Sequence, residues 1–591
     1  MSSSFNSTNS DIQKATEVHD ATATNKPFED DALPETDTEI NDYLAKFLDM
    51  SENANENERH EKAMGLKEGL KTFPKAVIWS IILSSTIIME GYDISLLTSL
   101  YAFPGFAQKF GTYYPDKGEW QIPTKWQTSL SLSANVGEIL GLFIAGIVAD
   151  RIGYRTTLIV CNLICIAFIF IVFFAQSLPV LLVGQILLGM PWGAFQTLSV
   201  SYASEVCPLT LRIYLTTFVN ACWVIGQLIS SCVLKGVLNI EGVNGYKIPF
   251  ALQWVFPLPI AIGIYFAPES PWWLIKKGRN EEAKHSIKRL LSPNEHMPDT
   301  EPLANAMLNK MQLTVKEEEL IGAGSTYWDC FKGTNFRRTR VASMCWLAQN
   351  ITGSTLMGYS TYFYTQAGLN TSMSFTFSII QYILGLLGTV GSWFLSIRGG
   401  RFDIYFSGLC IQAVLLLVVG GLGCTSSKGA SWGIGSMLLV FTFVYDMTVG
   451  PITYCIVSEI PSVQVRTKTI IIARNIYNVS GIILYIITPY MLNPTAWNWK
   501  AKTGFFWAGF AVACGIWAWF DLPETKGRTF AELDKLFNSG ISARKFKSHE
   551  VETFNSKAML EKAHGDEIKN MVENTKQIDN GIFEKDPQQK V

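Results

Sequence analysis

The amino-acid sequence predicts an all-α membrane protein of twelve membrane-crossing helices, arranged as two matched halves of six. Three observations carry that expectation. The chain is 48% hydrophobic and only 17% charged, whereas soluble domains carry about 25% charged residues. Apolar runs of about 20 residues, the length that crosses a bilayer as a helix, recur between Ala76 and Phe520. Polar motifs after the fourth and tenth runs repeat at a constant offset.

The runs are 76–101, 126–149, 156–176, 178–204, 213–234, 248–267, 341–364, 371–397, 404–424, 431–457, 469–491 and 503–520. Basic residues mark cytosolic loops. Lys67, Lys71 and Lys75 precede span one; Arg151 and Arg155 follow span two; Arg212 follows span four. Lys276, Lys277 and Arg279 follow span six, Arg398 and Arg401 span eight, and Arg466 and Lys468 span ten. Both termini are therefore expected in the cytosol. The expected organisation is a largely disordered polar tail (1–75), a six-helix bundle (76–267), a helical linker (268–340), a second bundle (341–520) and a cytosolic tail (521–591). A short amphipathic helix is expected at "NEEAKHSIKRLL" in the linker.

The repeat is specific. Glu205 and Arg212 in "YASEVCPLTLRIY" are matched 254 residues later by Glu459 and Arg466 in "IVSEIPSVQVRTK". Glu269 in "PES" is matched 255 residues later by Glu524 in "PET". A fainter echo joins "GIVADRIGYR", with Asp150, Arg151 and Arg155, to "SIRGGR", with Arg401. Matched charged loops on two bundles suit a cytosolic gate in a carrier that rocks one bundle against the other. Glu205 and Glu459 are expected to pair there with arginines among Arg155, Arg212, Arg401 and Arg466.

Inside the spans lie only Glu90, Asp93, Glu138, Asp446 and Arg474. A charge near the bilayer centre costs at least about 2.5–3.5 kcal/mol, so each of these needs a partner. Arg474, eight residues past Arg466, lies about 12 Å further into its helix. A guanidinium so placed needs an anion, and Glu90 and Asp93, three apart on one helix face, are the expected partners. All six histidines fall outside the spans, and no phosphate-binding loop of G-x-x-x-x-G-K-[ST] pattern occurs. ATP hydrolysis is therefore not expected, and proton traffic must run on carboxylates. The eleven cysteines form no CxxC pair and read as small buried hydrophobes. Neither cofactor nor metal is expected, and net charge −2 gives no reason to expect nucleic acid.

"GxxxDRxGYR", "PESPWWL", "GYD", "QNxTG" and "PETKGRT" resemble the sugar porter branch of the major facilitator superfamily, over about 76–535. Within it, "MEGYD", "GMPWGAFQ", "YASEVCPL", "APESPWWL", "GYSTYFY" and "RTKTIIIARN" resemble fungal maltose/α-glucoside permeases. The resemblance implies a major facilitator fold and proton-coupled sugar uptake at the plasma membrane by a monomer. It also implies coupling roles for Glu90, Asp93 and Glu138. Many proton-linked sugar porters hold the span-one aspartate against a span-four arginine. Here that position is Gln185, and Arg474, 254 residues after Asn220, takes over the cationic role. Asp446 is left without an assigned role.

Sugars are bound by amides that fork onto vicinal hydroxyls and by aromatic faces. The spans offer Asn220, Gln227, Gln349, Asn350, Thr355, Tyr359, Tyr362, Tyr454 and Asn478. The resemblance matches Gln349 and Asn350 to paired span-seven glutamines, Asn220 to a span-five glutamine and Tyr454 to a span-ten tryptophan. Two shorter amides and a smaller ring suit a ligand larger than a hexose. Asn370 opens an "NTS" sequon in an external loop and is a candidate glycosylation site. The function expected is proton symport of maltose, with maltotriose, turanose, trehalose and sucrose as further candidates. A passive hexose facilitator and a non-transporting sugar sensor are the alternatives. No nucleophile–base constellation suggests an enzyme.

Overall fold

The computed structural model describes residues 54–549, apart from 102, 115–118, 241, 294–298, 321–325, 359–363, 365–370, 426–427, 493–496 and 498. Among the described residues, eleven helices are long and apolar enough to span a bilayer. They are Pro74–Leu100, Lys125–Ile152, Tyr154–Phe173, Leu178–Val206, Leu209–Val237, Val243–Phe266, Ser372–Arg398, Arg401–Leu422, Trp432–Glu459, Arg466–Thr488 and Thr503–Asp521. The remaining expected span, the seventh, is interrupted. Helix Gly333–Ile351 stops, and Ser354–Gly358 resumes after Gly353, whose φ of 102° is open to glycine and costly for other residues.

Several spans start earlier than hydropathy alone places them. Spans nine and eleven begin at Arg401 and Arg466, because their first turns carry gate charges that no hydropathy window includes. Spans one and ten are also broken, at Ser85–Thr86 and at Thr448. These interruptions lie within a few residues of Glu90, Asn350 and Asp446. Discontinuous helices at depth line binding sites in carriers, since freed backbone groups survive only away from lipid.

Small residues bring the helices close. A Cβ at Gly137 would meet the Ile186 carbonyl oxygen at 2.0 Å, and one at Gly91 would meet that of Trp223 at 2.2 Å. Spans two and four, and spans one and five, therefore touch backbone to backbone beside the buried acids.

The linker packs against one end of the bundle as helices Pro271–Lys276, Asn280–Leu290 and Glu301–Leu320. The second of these is the expected amphipathic helix. Two further helices join them where the sequence suggested unstructured tails, at 54–63 and at Phe530–Asn538. The second is fixed by a capping box: Thr529 accepts from the Glu532 amide, and Glu532 reaches back to the Thr529 amide. A two-stranded hairpin, Thr112–Tyr114 with Glu119–Gln121, marks the opposite end.

Candidate functional site

Glu90 is fully buried, facing away from lipid. Arg474 reaches it from span eleven, in the other half: Nη2 lies 3.3 Å from Glu90 Oε1 and 3.8 Å from Glu138 Oε2. Gln196 Nε2 donates to the second Glu90 oxygen at 2.6 Å. The guanidinium carbon sits 4.8 Å from the ring centroid of Trp346 and 4.2 Å from that of Tyr477, close enough for cation–π attraction. Two carboxylates from spans one and two thus converge on one cation from span eleven.

Asp93 is not among the partners of Arg474, contrary to the sequence expectation. Its Oδ1 accepts from Gln185 Nε2 at 3.4 Å and from Gln253 Nε2. Three residues along a helix turn a side chain by about 60° and raise it by about 4.5 Å. That offset directs the shorter aspartate at spans four and six. Gln185, standing where an arginine was expected to be missed, still holds Asp93, as a neutral donor.

Asn220, 254 residues before Arg474, makes the reciprocal crossing. Its Nδ2 donates to Asp446 Oδ1 at 3.0 Å and Thr389 Oγ1 at 3.2 Å, both in the second half. This gives Asp446 a partner and engages an amide expected to face sugar. Gln349 Nε2 donates to the Gly450 carbonyl at 2.9 Å. Asn350 Nδ2 donates to the Tyr477 carbonyl and to Ser480 Oγ, both at 2.9 Å. These amides tie helices together in this conformation. Both amide atoms of buried Asn478, and Thr355 Oγ1, have no protein hydrogen-bond partner among the described residues. Gln227 is buried in span five, and Tyr454 packs edge-on against Trp346 with centroids 4.8 Å apart. Tyr359, Tyr362 and Asn370 lie outside the described residues.

At the linker end the two repeat motifs build two related clusters. Glu269 accepts backbone N–H bonds from Tyr154 (3.0 Å) and Arg155 (3.2 Å), at the start of span three. Glu524 accepts those of Arg401 (2.8 Å) and Phe402 (3.2 Å), at the start of span nine. Each acid thus satisfies amides that a helix leaves unpaired at its N-terminus. The next residue completes each cluster: Ser270 Oγ donates to Glu205, and Thr525 Oγ1 donates to Glu459 at 2.6 Å.

Only two of the four expected arginines meet these glutamates. Arg466 pairs with Glu205 at 3.2 Å across the halves, and Arg401 pairs with Glu459 at 3.1 Å within one half. Arg155 instead donates to the Tyr265 carbonyl, and Arg151 is exposed. Arg212 lies over the Phe530 ring at 3.9 Å, with Arg466 at 3.7 Å from the same centroid. The helix that carries Phe530 was not expected, so neither was this diversion of Arg212. Two further crossings were also missed: Lys468 to Asp150, and Tyr154 Oη to Thr467 Oγ1 at 2.8 Å.

Two bundles joined by charge pairs at depth and at one end define a membrane carrier of the major facilitator fold, not an enzyme. The proton:xylose symporter XylE bound to 6-bromo-6-deoxy-D-glucose superposes with a TM-score of 0.65 at 20% identity, over 78% of this chain and 99% of that one. The chain belongs to the sugar transporter family: the family model "Sugar (and other) transporter" matches residues 79–537. Relatives in Saccharomyces cerevisiae include the maltose permease MAL31, 49% identical over 87% of this chain and 84% of that protein. The α-glucosides permease MPH2 is 48% identical over 88% and 86%. The general α-glucoside permease is 47% identical over 87% and 84%.

Proposed function

We propose that this carrier takes up α-glucosides, maltose foremost, together with protons across the plasma membrane, with both termini in the cytosol. One observation carries the proton half of the reading. Glu90, Asp93 and Glu138 are buried on spans one and two, and among the described residues the one span cation near them is Arg474. Acids outnumber base, so charge balance inside the membrane calls for bound protons. The names of the relatives, maltose and α-glucoside permeases, support the sugar half.

In this reading the bundles 76–267 and 341–520 rock about the site. The Arg466–Glu205 and Lys468–Asp150 pairs hold the cytosolic end shut while sugar and proton enter from outside. Sugar hydroxyls take the amide of Asn478 and compete for those of Gln349 and Asn350. Protonation loosens the hold of Glu90 and Glu138 on Arg474, so the halves separate at depth and the cytosolic end opens. Glu90, Asp93, Glu138 and Arg474 are the coupling residues. Each charge moved inward at 100 mV supplies about 2.3 kcal/mol, and each pH unit adds about 1.4, enough to concentrate sugar.

The test is maltose addition to weakly buffered cells expressing the chain. Alkalinisation that tracks maltose uptake supports symport. Uptake with no change in external pH would assign a passive facilitator instead.

A further inference from the structure

Beside Asp93 lies a cavity of about 20 Å³ between spans one, two, four and eleven. Its polar lining comes from Asp93, Thr98, Ser131, Asn135, Gln185 and Tyr485. A volume above about 10–15 Å³ with two to four polar partners is what one buried water requires. The space is far too small for a sugar.

The polar atoms facing it match a water in kind as well as number. Asp93 Oδ2, Gln185 Oε1 and Asn135 Nδ2 are all buried and lack a protein hydrogen-bond partner. The first two accept and the third donates. A water has two hydrogens to give and a lone pair to receive, so one molecule satisfies all three. Left alone, each buried polar atom is destabilising, because it has lost its water without gaining a partner.

Asn135 also borders the second half. A Cβ at Gly481, in span eleven, would lie 3.3 Å from Asn350 Nδ2 and 3.7 Å from Asn135 Nδ2. The two asparagines, one from each half, therefore flank the same glycine. Ser131, also in the lining, has its Oγ 3.1 Å from Tyr101 Oη.

We propose that this cavity is a water site through which protons reach Asp93, and that Asn135 positions that water. The inference rests on the proton-symport reading. The groups facing Asp93 carry no cation among the described residues: Gln185 and Gln253 are neutral amides. The titratable neighbours are Tyr92 on its own helix, Cys165 in span three and Tyr485 in span eleven. Glu90, one turn back, is engaged by Arg474. A water is thus the mobile proton carrier within reach of Asp93.

The experiment compares the parent with Asn135→Leu and the milder Asn135→Ser, each as the full chain in proteoliposomes. Maltose-driven proton uptake is measured from pH 5 to 8, and maltose counterflow, which needs no net proton movement, is measured alongside. Leucine fills the cavity and removes the donor. Its pH profile should shift by at least about one unit while counterflow stays within about twofold, and serine, which keeps a hydroxyl, should shift it less. An unshifted profile in both variants, or counterflow lost in proportion to uptake, would overturn the proposal. So would a water-resolving map of the parent with no density shared by the three atoms, which decides the matter should leucine prevent folding. If the parent itself moves no protons with maltose, the symport reading fails instead.

Discussion

Arg474 in the second half and Glu90 in the first meet at 3.3 Å, with both side chains almost wholly buried. The pair belongs to a cluster that crosses between halves, because Glu138 approaches the same guanidinium. Breaking a buried pair by removing one partner costs about 3–5 kcal/mol, whereas removing the whole cluster is often neutral. That asymmetry separates the coupling reading from a static brace.

Glu90→Gln should weaken coupling without abolishing transport, because Glu138 still faces Arg474. Glu90→Gln with Glu138→Gln strands the cation, and both transport and thermal stability should fall. Adding Arg474→Ala should restore stability. Thermal unfolding of the three variants checks the order: double lowest, triple near the parent.

At the proposed gate, Arg466→Ala leaves Glu205 with Ser270 and Tyr154 as donors but no ion-pair partner among the described residues. The linker end should open more often, and net uptake should slow. Labelling of a cysteine placed at Thr467 should rise at least about fivefold, given a loss of about 1 kcal/mol or more. Labelling equal to the parent's would remove the pair from the gate.

The proposed sugar site holds two kinds of amide. Asn478→Ala removes an amide that borders Glu138 and ties no helix backbone, so half-saturation for maltose should rise about five- to a hundredfold. Gln349→Ala also breaks the bond to Gly450 that joins spans seven and ten. It should therefore lose affinity and stability together. Binding titrations paired with unfolding curves measure both.

Helix 54–63 gives a pH prediction. Glu61 accepts the Leu209 amide at 2.6 Å and the Lys310 ammonium. Burial pushes its carboxyl up, but Lys310 and Arg212 outweigh burial and hold it below the ordinary value of 4.5. A lowered carboxyl contributes stability above its undocked value and loses it as pH falls through the docked one. Docking should thus hold at neutral pH and fail only below that ordinary range. Spin labels at Arg59 and Ser539 should report one short distance at pH 7, broadened at low pH and, in Glu61→Gln, already at pH 7.

Hydropathy made the spans legible, and the 254-residue offset made the halves and their gate motifs legible. The helices at 54–63 and Phe530–Asn538 escaped because their stability comes from tertiary partners, among them the Thr529–Glu58 bond at 3.0 Å and the Lys62–Glu532 pair at 3.0 Å. The capping box at Thr529–Glu532 was the one local signal for the second. Charge counting found Arg474, its excess of acids and Glu90 as a partner, but named Asp93 where Glu138 is the second acid. That depends on rotation about span one, which sends Asp93 to Gln253, a residue of span six that no motif marked. Phe530 between two guanidiniums was invisible for the same reason.

The most direct test is the ratio of protons to maltose moved in proteoliposomes by the parent and by a chain carrying Glu90→Gln, Asp93→Asn, Glu138→Gln and Arg474→Ala. The account predicts alkalinisation with maltose entry in the parent. In the variant it predicts maltose equilibration and counterflow with no proton movement. Proton uptake per maltose equal to the parent's in that variant would contradict it.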